Sequence, residues 1–279
     1  MAMLIRITAR LTAAVCFVLA LTNAAAAQET DKQFEPVSGQ AGKDVVWVPT
    51  PDVTVERMLD IAKVTSQDYV MDLGSGDGRN IIAAAKRGAQ ALGVEYNPDM
   101  VALSKRRAAE AGVAEKALFV QGDMYEADIS KASVMALFLL PDNMNKLLPK
   151  FLALKPGSRI VSNTFSMEGW LPDHTETIPD CSSWCTVLLW VVPANAAGTW
   201  QLPQGTLTLN QQFQHVTGTL GTTAIADGKL DGEQITFTAG NARYAGRVNG
   251  NEIEGTVTTG TDTTAWRATR AETPTVGRD

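Results

Sequence analysis

Two rhythms of apolar residues divide this chain. Between about residues 70 and 165 they come as short unbroken runs, at 70–71, 91–94, 117–120, 134–140 and 160–161. Runs of this kind suit strands buried on both faces of a parallel sheet, and the stretches between them carry helical periodicity. Helices are expected over 80–87, from Asn97 to Gly112 and over 142–154. Asn97, Pro98 and Asp99 read as N-cap, N1 proline and first-turn acid of the second of these. Pro141 reads as a break between the fourth strand and its helix, with Asp142 as a helix cap, and Lys155-Pro156-Gly157 as a turn into the strand Arg159–Asn163. After about residue 195 the rhythm becomes alternation, with Thr and Gly replacing helix formers. Candidate strands are 205–210, 212–216, 234–238, 242–248, 252–257 and 264–268, and Gly228-x-Leu230-x-Gly232 recurs as Gly246-x-Val248-x-Gly250 about 18 residues later. Asn249-Gly250 is the strongest turn signal. The pattern therefore predicts an α/β unit with a doubly wound, mostly parallel sheet, then a small antiparallel all-β meander curling toward a barrel or sandwich. Val187–Val192 is strongly strand-like, so part of 186–212 is also readable as the last two strands of the first sheet.

The first strand runs into Asp72-Leu73-Gly74-Ser75-Gly76-Asp77-Gly78. Alternating glycines let backbone turn sharply and approach a ligand, and the following helix aims its N-terminal NH groups there. A nicotinamide site would show G-x-G-x-x-G around a diphosphate, which Asp72 would repel. A cationic methionine moiety suits that acid, and S-adenosylmethionine is the ligand expected. Glu95, at the end of the second strand, stands where a carboxylate accepts from ribose hydroxyls. Asp123, after the third, is placed to bond an adenine amine or to act as a turn residue.

These residues, with Trp47–Pro51, Gly93–Pro98, Leu137–Pro141 and Gly157–Ser162 followed by Trp170, resemble class I, Rossmann-like methyltransferases. The likeness covers about 45–175 and is nearest to the protein-lysine methyltransferases that modify the c-ring protein of mitochondrial ATP synthase and the adenine nucleotide carrier. It implies cofactor contacts from Asp72, Gly74, Ser75, Gly76, Gly78, Glu95, Tyr96, Asp123 and Met124, and a lid near the acceptor at Pro49–Pro51. Ligands of open parallel sheets bind beyond the strands' carboxyl ends. The acceptor pocket is accordingly expected among Tyr125, Leu140, Pro141, Asn143, Phe165 and Trp170. Methyl transfer needs in-line approach by a neutral nucleophile more than an acid–base dyad. Asp142 or Thr50 is the candidate to orient an amine or relay its proton, with a helix cap and a turn residue as their plain alternatives.

Composition supports a folded protein, with 45% hydrophobic residues and a formal charge of -6. Nucleic acid is a poor partner for so acidic a chain, and Lys105-Arg106-Arg107, its one basic run of three past residue 10, reads as a solvated helix face. Arg6, Arg10, the apolar stretch 11–21 and Ala25-Ala26-Ala27 read as an export signal over 1–27. The expected division is then a linker over 28–44, the methyltransferase domain over 45–196 and the β-domain over 197–279. Export implies a periplasmic or membrane-associated protein, in tension with a cofactor made in the cytoplasm. Cys181 and Cys185 are compatible with a disulfide, with two free thiols or, with nearby His174, with a zinc site lacking a fourth ligand; no metal is expected. Trp200, His215 and Trp266 are readable as a ligand face of the β-domain or as ordinary core.

The function expected is methyl transfer to an amine, with a protein lysine favoured. A small-molecule or lipid acceptor, or an exported binding protein on a methyltransferase fold, are the alternatives.

Overall fold

The computed structural model describes residues 34–271; the export signal read at 1–27 lies outside them. Five parallel strands form the first sheet: β1 (Tyr69–Leu73), β2 (Gln90–Glu95), β3 (Ala117–Gln121), β4 (Val134–Leu137) and β5 (Arg159–Asn163). A hairpin of β6 (His174–Thr177) and β7 (Thr186–Val191) completes it in the order β3-β2-β1-β4-β5-β7-β6, with β7 antiparallel to β5. The last two strands thus come from 174–191, and 198–212 belongs elsewhere.

Helices α1 (Asp52–Ile61), α2 (Arg79–Lys86), α3 (Pro98–Glu110) and α4 (Pro141–Leu152) complete this part. One face of the sheet buries Met58, Leu59, Ile81 and Phe119, and the other buries Met135, Met144, Leu147 and Phe151. Strand β4 is buried at all its positions, which is why its apolar run is continuous. The side chain of Asn97 caps α3 by accepting from Asp99 N at 2.9 Å, as its sequence predicts. Pro141 does not separate strand from helix; it opens α4 at N1, with Leu140 in the N-cap position and Asp142 in the first turn. Proline suits N1 because the first helical NH groups have no partner within the helix. The consequence is that Phe138, Leu139 and Leu140 form a loop at the sheet's carboxyl end.

Eight antiparallel strands follow: β8 (Gly198–Leu202), β9 (Gly205–Gln212), β10 (His215–Leu220), β11 (Thr223–Asp231), β12 (Gln234–Ala239), β13 (Ala242–Asn249), β14 (Glu252–Thr259) and β15 (Asp262–Arg270). They close into a barrel, β15 pairing β8 and β9 pairing β10. Strands β8 and β11 were not read from the sequence, and the strand expected at 212–216 is broken by a turn at Phe213-Gln214. Five hairpin turns begin with Gly221, Gly232, Gly240, Gly250 and Gly260 at φ between +57° and +61°. Glycine first is the II′ pattern, so the turn expected at Asn249-Gly250 falls one residue later, with Asn249 still in β13.

Side chains fill the barrel. Trp200 and Trp266 are buried in its core, their Nε1 atoms donating to Ala196 O and Ala245 O, while His215 is exposed, so the three do not share a ligand face. The β9–β10 turn docks the barrel onto the first part. Phe213 stacks on Trp170 at 5.4 Å, Gln214 donates to Leu171 O, and Lys229 pairs with Asp173 at 3.3 Å. Trp170 is therefore a junction residue, 1% exposed, and not a wall of the acceptor pocket.

Candidate active site

The glycine loop folds back on β2, with Gly74 N and Ser75 N both donating to Val94 O. The Glu95 carboxylate accepts from Gly76 N through one oxygen and Asn97 N through the other, both at 2.9 Å. Its position is thereby set by the loop it faces. Gly74, Gly76 and Gly78 all have positive φ, but only Gly74 borders the main cavity. A Cβ on Gly76 would stand 2.6 Å from Trp47 Nε1, and one on Gly78 would stand 2.7 Å from Phe119 Cζ. Gly78 is thus a packing glycine at the start of α2, not the ligand contact expected of it.

The main cavity, about 200 Å³, lies at the carboxyl ends of β1–β5. One end is bordered by Glu95, Tyr96, Asp123 and Met124, and the other by Phe138, Leu140, Phe165 and Trp184. Residues 40–48 close over it. This strap is held by Gly39 N donating to Trp47 O and by Lys43, whose ammonium pairs with the Asp123 carboxylate. Lys43, and secondarily the Tyr125 backbone NH, hold the Asp123 carboxyl below its ordinary range.

A smaller recess adjoins it beneath Trp47, bordered by Pro49, Thr50, Asp72, Ser75, Gly76, Asp77 and Asn80. Asp72 accepts from Asn80 Nδ2 at 3.0 Å. Burial pushes the Asp72 carboxyl well above its ordinary range, the Asn80 bond offsets this in part, and the nearby Glu95 and Asp77 add to it. Asp77 is also buried, and burial alone would raise it. Arg79, at 2.6 Å, and Arg107 outweigh that and hold it below the ordinary range. Arg107 and Arg106 also face Glu35, so the basic run is not the solvated face expected but in part the counter-charge under the glycine loop.

The remaining candidates divide. Leu140 and Phe165 border the cavity. Asn143 is buried and donates to Tyr125 Oη at 2.8 Å, which makes this pair support behind the site. Pro141 and Asp142 are exposed in the first turn of α4 and Pro51 occupies the N-cap position of α1; none of the three borders either space. Thr50 borders the recess, and its carbonyl accepts from Arg79. Sequence reading missed Asp77, Arg107, Lys43, Phe138 and Trp184. Asp77 sits in plain sight between two glycines, whereas the strap and Trp184 reach the site only through tertiary folding. Cys181 and Cys185 are joined as a disulfide, which removes them as zinc ligands.

Buried Ser75 Oγ and Asn80 Oδ1 have no hydrogen-bond partner in the protein. Beside the buried Asp72 they make the recess polar where the main cavity's far end is aromatic, a largely hydrogen-bond-accepting set that fits a cationic, amphipathic nucleoside.

A family profile described as the ANTKMT methyltransferase domain matches residues 72–174. The chain is 43% identical over 151 residues to a protein-lysine N-methyltransferase of Saccharolobus islandicus, covering 53% of this chain and 94% of that one. It is 34% identical over 120 residues to the adenine nucleotide translocase lysine N-methyltransferase of Mus musculus, covering 42% of this chain and 52% of the mouse protein. The chain therefore spans about half the length of that relative. Among solved structures, an RNA methyltransferase of Salinibacter ruber in complex with S-adenosyl-L-homocysteine aligns with a TM-score of 0.50 and 46% identity, covering 53% of this chain and 95% of that one.

Proposed function

We propose that this chain, which belongs to the S-adenosylmethionine-dependent methyltransferase family of its Saccharolobus islandicus relative, transfers methyl groups to the side-chain amine of a protein lysine. The observation that carries the reading is one continuous cavity running from Glu95 and Asp123 to an aromatic wall. Bound there, the cofactor supplies an electrophilic methyl group on a sulfonium. Glu95 suits the ribose hydroxyls, and Asp123, once released by Lys43, the adenine amine. Asp72 gives the recess its acidic character, and Gly74 permits close backbone approach. At the other end, Phe138, Leu139, Leu140 and Phe165 disfavour an ammonium and so favour the neutral amine that attacks. With Asp142 turned outward, desolvation replaces a general base in this scheme.

An RNA acceptor is the second reading, favoured by the name of the Salinibacter ruber protein. Against it stand the formal charge of -6 and the engagement of Arg106 and Arg107 with acids. The reading extends to location: we infer export from the pattern at 1–27, and the Cys181–Cys185 disulfide suits an oxidising compartment. Among the described residues no helix is long and apolar enough to cross a membrane. Cell fractionation that finds the chain in the cytoplasm would overturn the inference of export.

Calorimetric titration with S-adenosylmethionine and S-adenosylhomocysteine tests the site. Binding is expected in the wild-type chain and lost in the Asp72→Ala, Glu95→Ala double variant. A folded wild-type protein that binds neither nucleoside overturns the function. Label from tritiated cofactor appearing in RNA instead of protein would select the second reading.

A further inference from the structure

The tip of the β6–β7 hairpin carries a feature that the methyl-transfer reading leaves unused. Cys181 and Cys185 close a loop of five residues whose Cα atoms meet at 5.7 Å. Trp184 sits inside it at φ +57°, and Asp180, just before it, at φ +58°. L-residues enter this left-handed region at a cost of about 1–2 kcal/mol each, and such strain concentrates where a side chain must be aimed. The loop is anchored on three sides. Both cysteines pack against the core beneath α1, Ile178 N donates to Cys185 O at 2.8 Å, and buried Thr54 on α1 donates to Trp184 O at 3.2 Å.

The ring of Trp184 is thereby delivered to the cavity, where it meets Phe138 at 5.5 Å and Phe165 at 5.6 Å. Phe165 is itself aimed by Thr164, a β-branched residue at φ +64°. Phe138 and Phe165 stack at 5.8 Å, and the three rings make one wall opposite the acids. Trp184 remains 38% exposed, far more than a ring placed only to fill a core.

We propose that Trp184, held by the Cys181–Cys185 disulfide, is the acceptor-recognising residue of this enzyme, taking the methylene stem and methylated ammonium of a lysine side chain. The inference rests on the lysine reading of the same site. The chemistry follows from the ring: an indole face contacts apolar methylenes and attracts a quaternary ammonium, which has no proton to lose and so keeps its charge in an apolar wall. Product and acceptor stem are recognised by the same surface, while the acids at the far end hold the nucleoside.

The test uses the full chain saturated with S-adenosylhomocysteine and titrated with N-acetyl-trimethyllysine methylamide as probe. Wild-type protein should bind the probe; Trp184→Ala should weaken it by about tenfold and Trp184→Phe by about threefold, as expected for losing the better of two cation–π faces. The Cys181→Ser, Cys185→Ser variant should fall between wild type and Trp184→Ala, because the ring persists but its aim is relaxed. S-adenosylhomocysteine affinity, measured separately, should stay within about twofold throughout. Equal probe binding by wild type and Trp184→Ala would overturn the proposal, as would a parallel loss of nucleoside affinity, which would put Trp184 on the cofactor side. Normal nucleoside binding without probe binding by the wild type would overturn the lysine reading and the proposal together, whereas failure of Trp184 alone leaves that reading standing.

Discussion

In the sheet of β1–β5 and the segments around it, buried polar groups gather where the strands end: Asp72, Ser75, Asp77, Asn80 and Asn163 are all buried there, and three of them keep an atom without a partner. In the barrel the only buried polar side chain among the described residues is Gln214, and it belongs to the turn that docks on the sheet. The glycines differ in the same way. Gly74 opens backbone to a cavity, whereas Gly255 lies where a Cβ would be 1.9 Å from Ala245 O, so it exists to let strands close. Buried polarity gathered at the strand ends marks the part where a ligand is handled; among the described residues the barrel buries one polar side chain, at its docking turn, where Gln214 Nε2 is engaged and Oε1 has no partner, and it is a body to be held or to hold.

The largest effect expected on either side is that of Asp77→Ala. It leaves Arg79 and Arg107 facing each other under the glycine loop, and breaking one partner out of a buried ionic group costs about 3–5 kcal/mol. Thermal unfolding and hydrogen exchange should show the loss in β1 and α2, with S-adenosylhomocysteine affinity falling as the loop loosens. The barrel strands should keep their protection, and a loss spread evenly over both parts would contradict the contrast between them. Gly255→Ala is the converse, about 3 kcal/mol for forcing a methyl group against a neighbouring strand. Exchange should rise in β13–β15 while nucleoside affinity is unchanged. If affinity drops too, the barrel is part of the catalytic unit and not a separate body.

Phe213→Gly probes the joint itself. Phe213 occupies a left-handed turn position, φ +53°, where the neighbouring hairpins use glycine. Glycine there recovers about 1 kcal/mol of backbone strain, while loss of the stack on Trp170 removes more, leaving a net destabilisation of about 1–2 kcal/mol. Exchange around Trp170 and Leu171 should increase first. A gain in stability would show that the stack contributes nothing and that the two parts are not coupled through this turn.

The same contrast explains what the amino-acid sequence disclosed. Strands buried on both faces leave unbroken apolar runs, and a cap such as Asn97-Pro98-Asp99 is local, so β1, β2, β3, β5 and α3 could be placed within a residue or two, whereas the run at 134–140 overshoots β4 by three because its apolar residues continue into the loop 138–140. Asp72, Glu95 and Asp123 were legible because they stand at or just past the carboxyl ends of strands. Trp170 was misplaced because a tryptophan beyond β5 can face the ligand or the next domain, and only the docking of Phe213 decides. Strand β11 was hidden by the irregularity at Asp227-Gly228, where Asp227 takes φ +52° and the pairing register shifts. Strand β8 was hidden by its place at the closure of the barrel, which no local pattern records. Trp184 was invisible as a site residue because a disulfide, an α1 threonine and two phenylalanines from other loops converge to place it.

The last effect isolates a single buried charge. In the folded chain the Asp72 carboxyl is held well above its ordinary range, mainly by burial. The folded state therefore binds this proton more tightly than the unfolded chain does. Stability must fall as pH climbs from the unfolded carboxylate value, about 3.9, toward the raised folded value, and level off beyond it. Asp68 and Asp77 pull the other way, since their carboxyls are held below the ordinary range and the stability they supply is lost on acidification. Asp68 acts alike in wild type and in Asp72→Asn and cancels in the difference, while Asp77, whose charge repels that of Asp72, is relieved in the variant and adds to the gain above the raised Asp72 value. Asparagine can still accept from Asn80 but has no proton to lose. The variant should match wild type in acid and exceed it in Tm near neutral pH. Its S-adenosylmethionine affinity should fall over the same range, because a charge that destabilises the protein alone is compensated only when a cation is bound beside it. A Tm difference that does not change with pH would mean that Asp72 titrates as an ordinary surface acid. The recess beneath Trp47 would then have to be a wet cleft, with no special claim on the sulfonium.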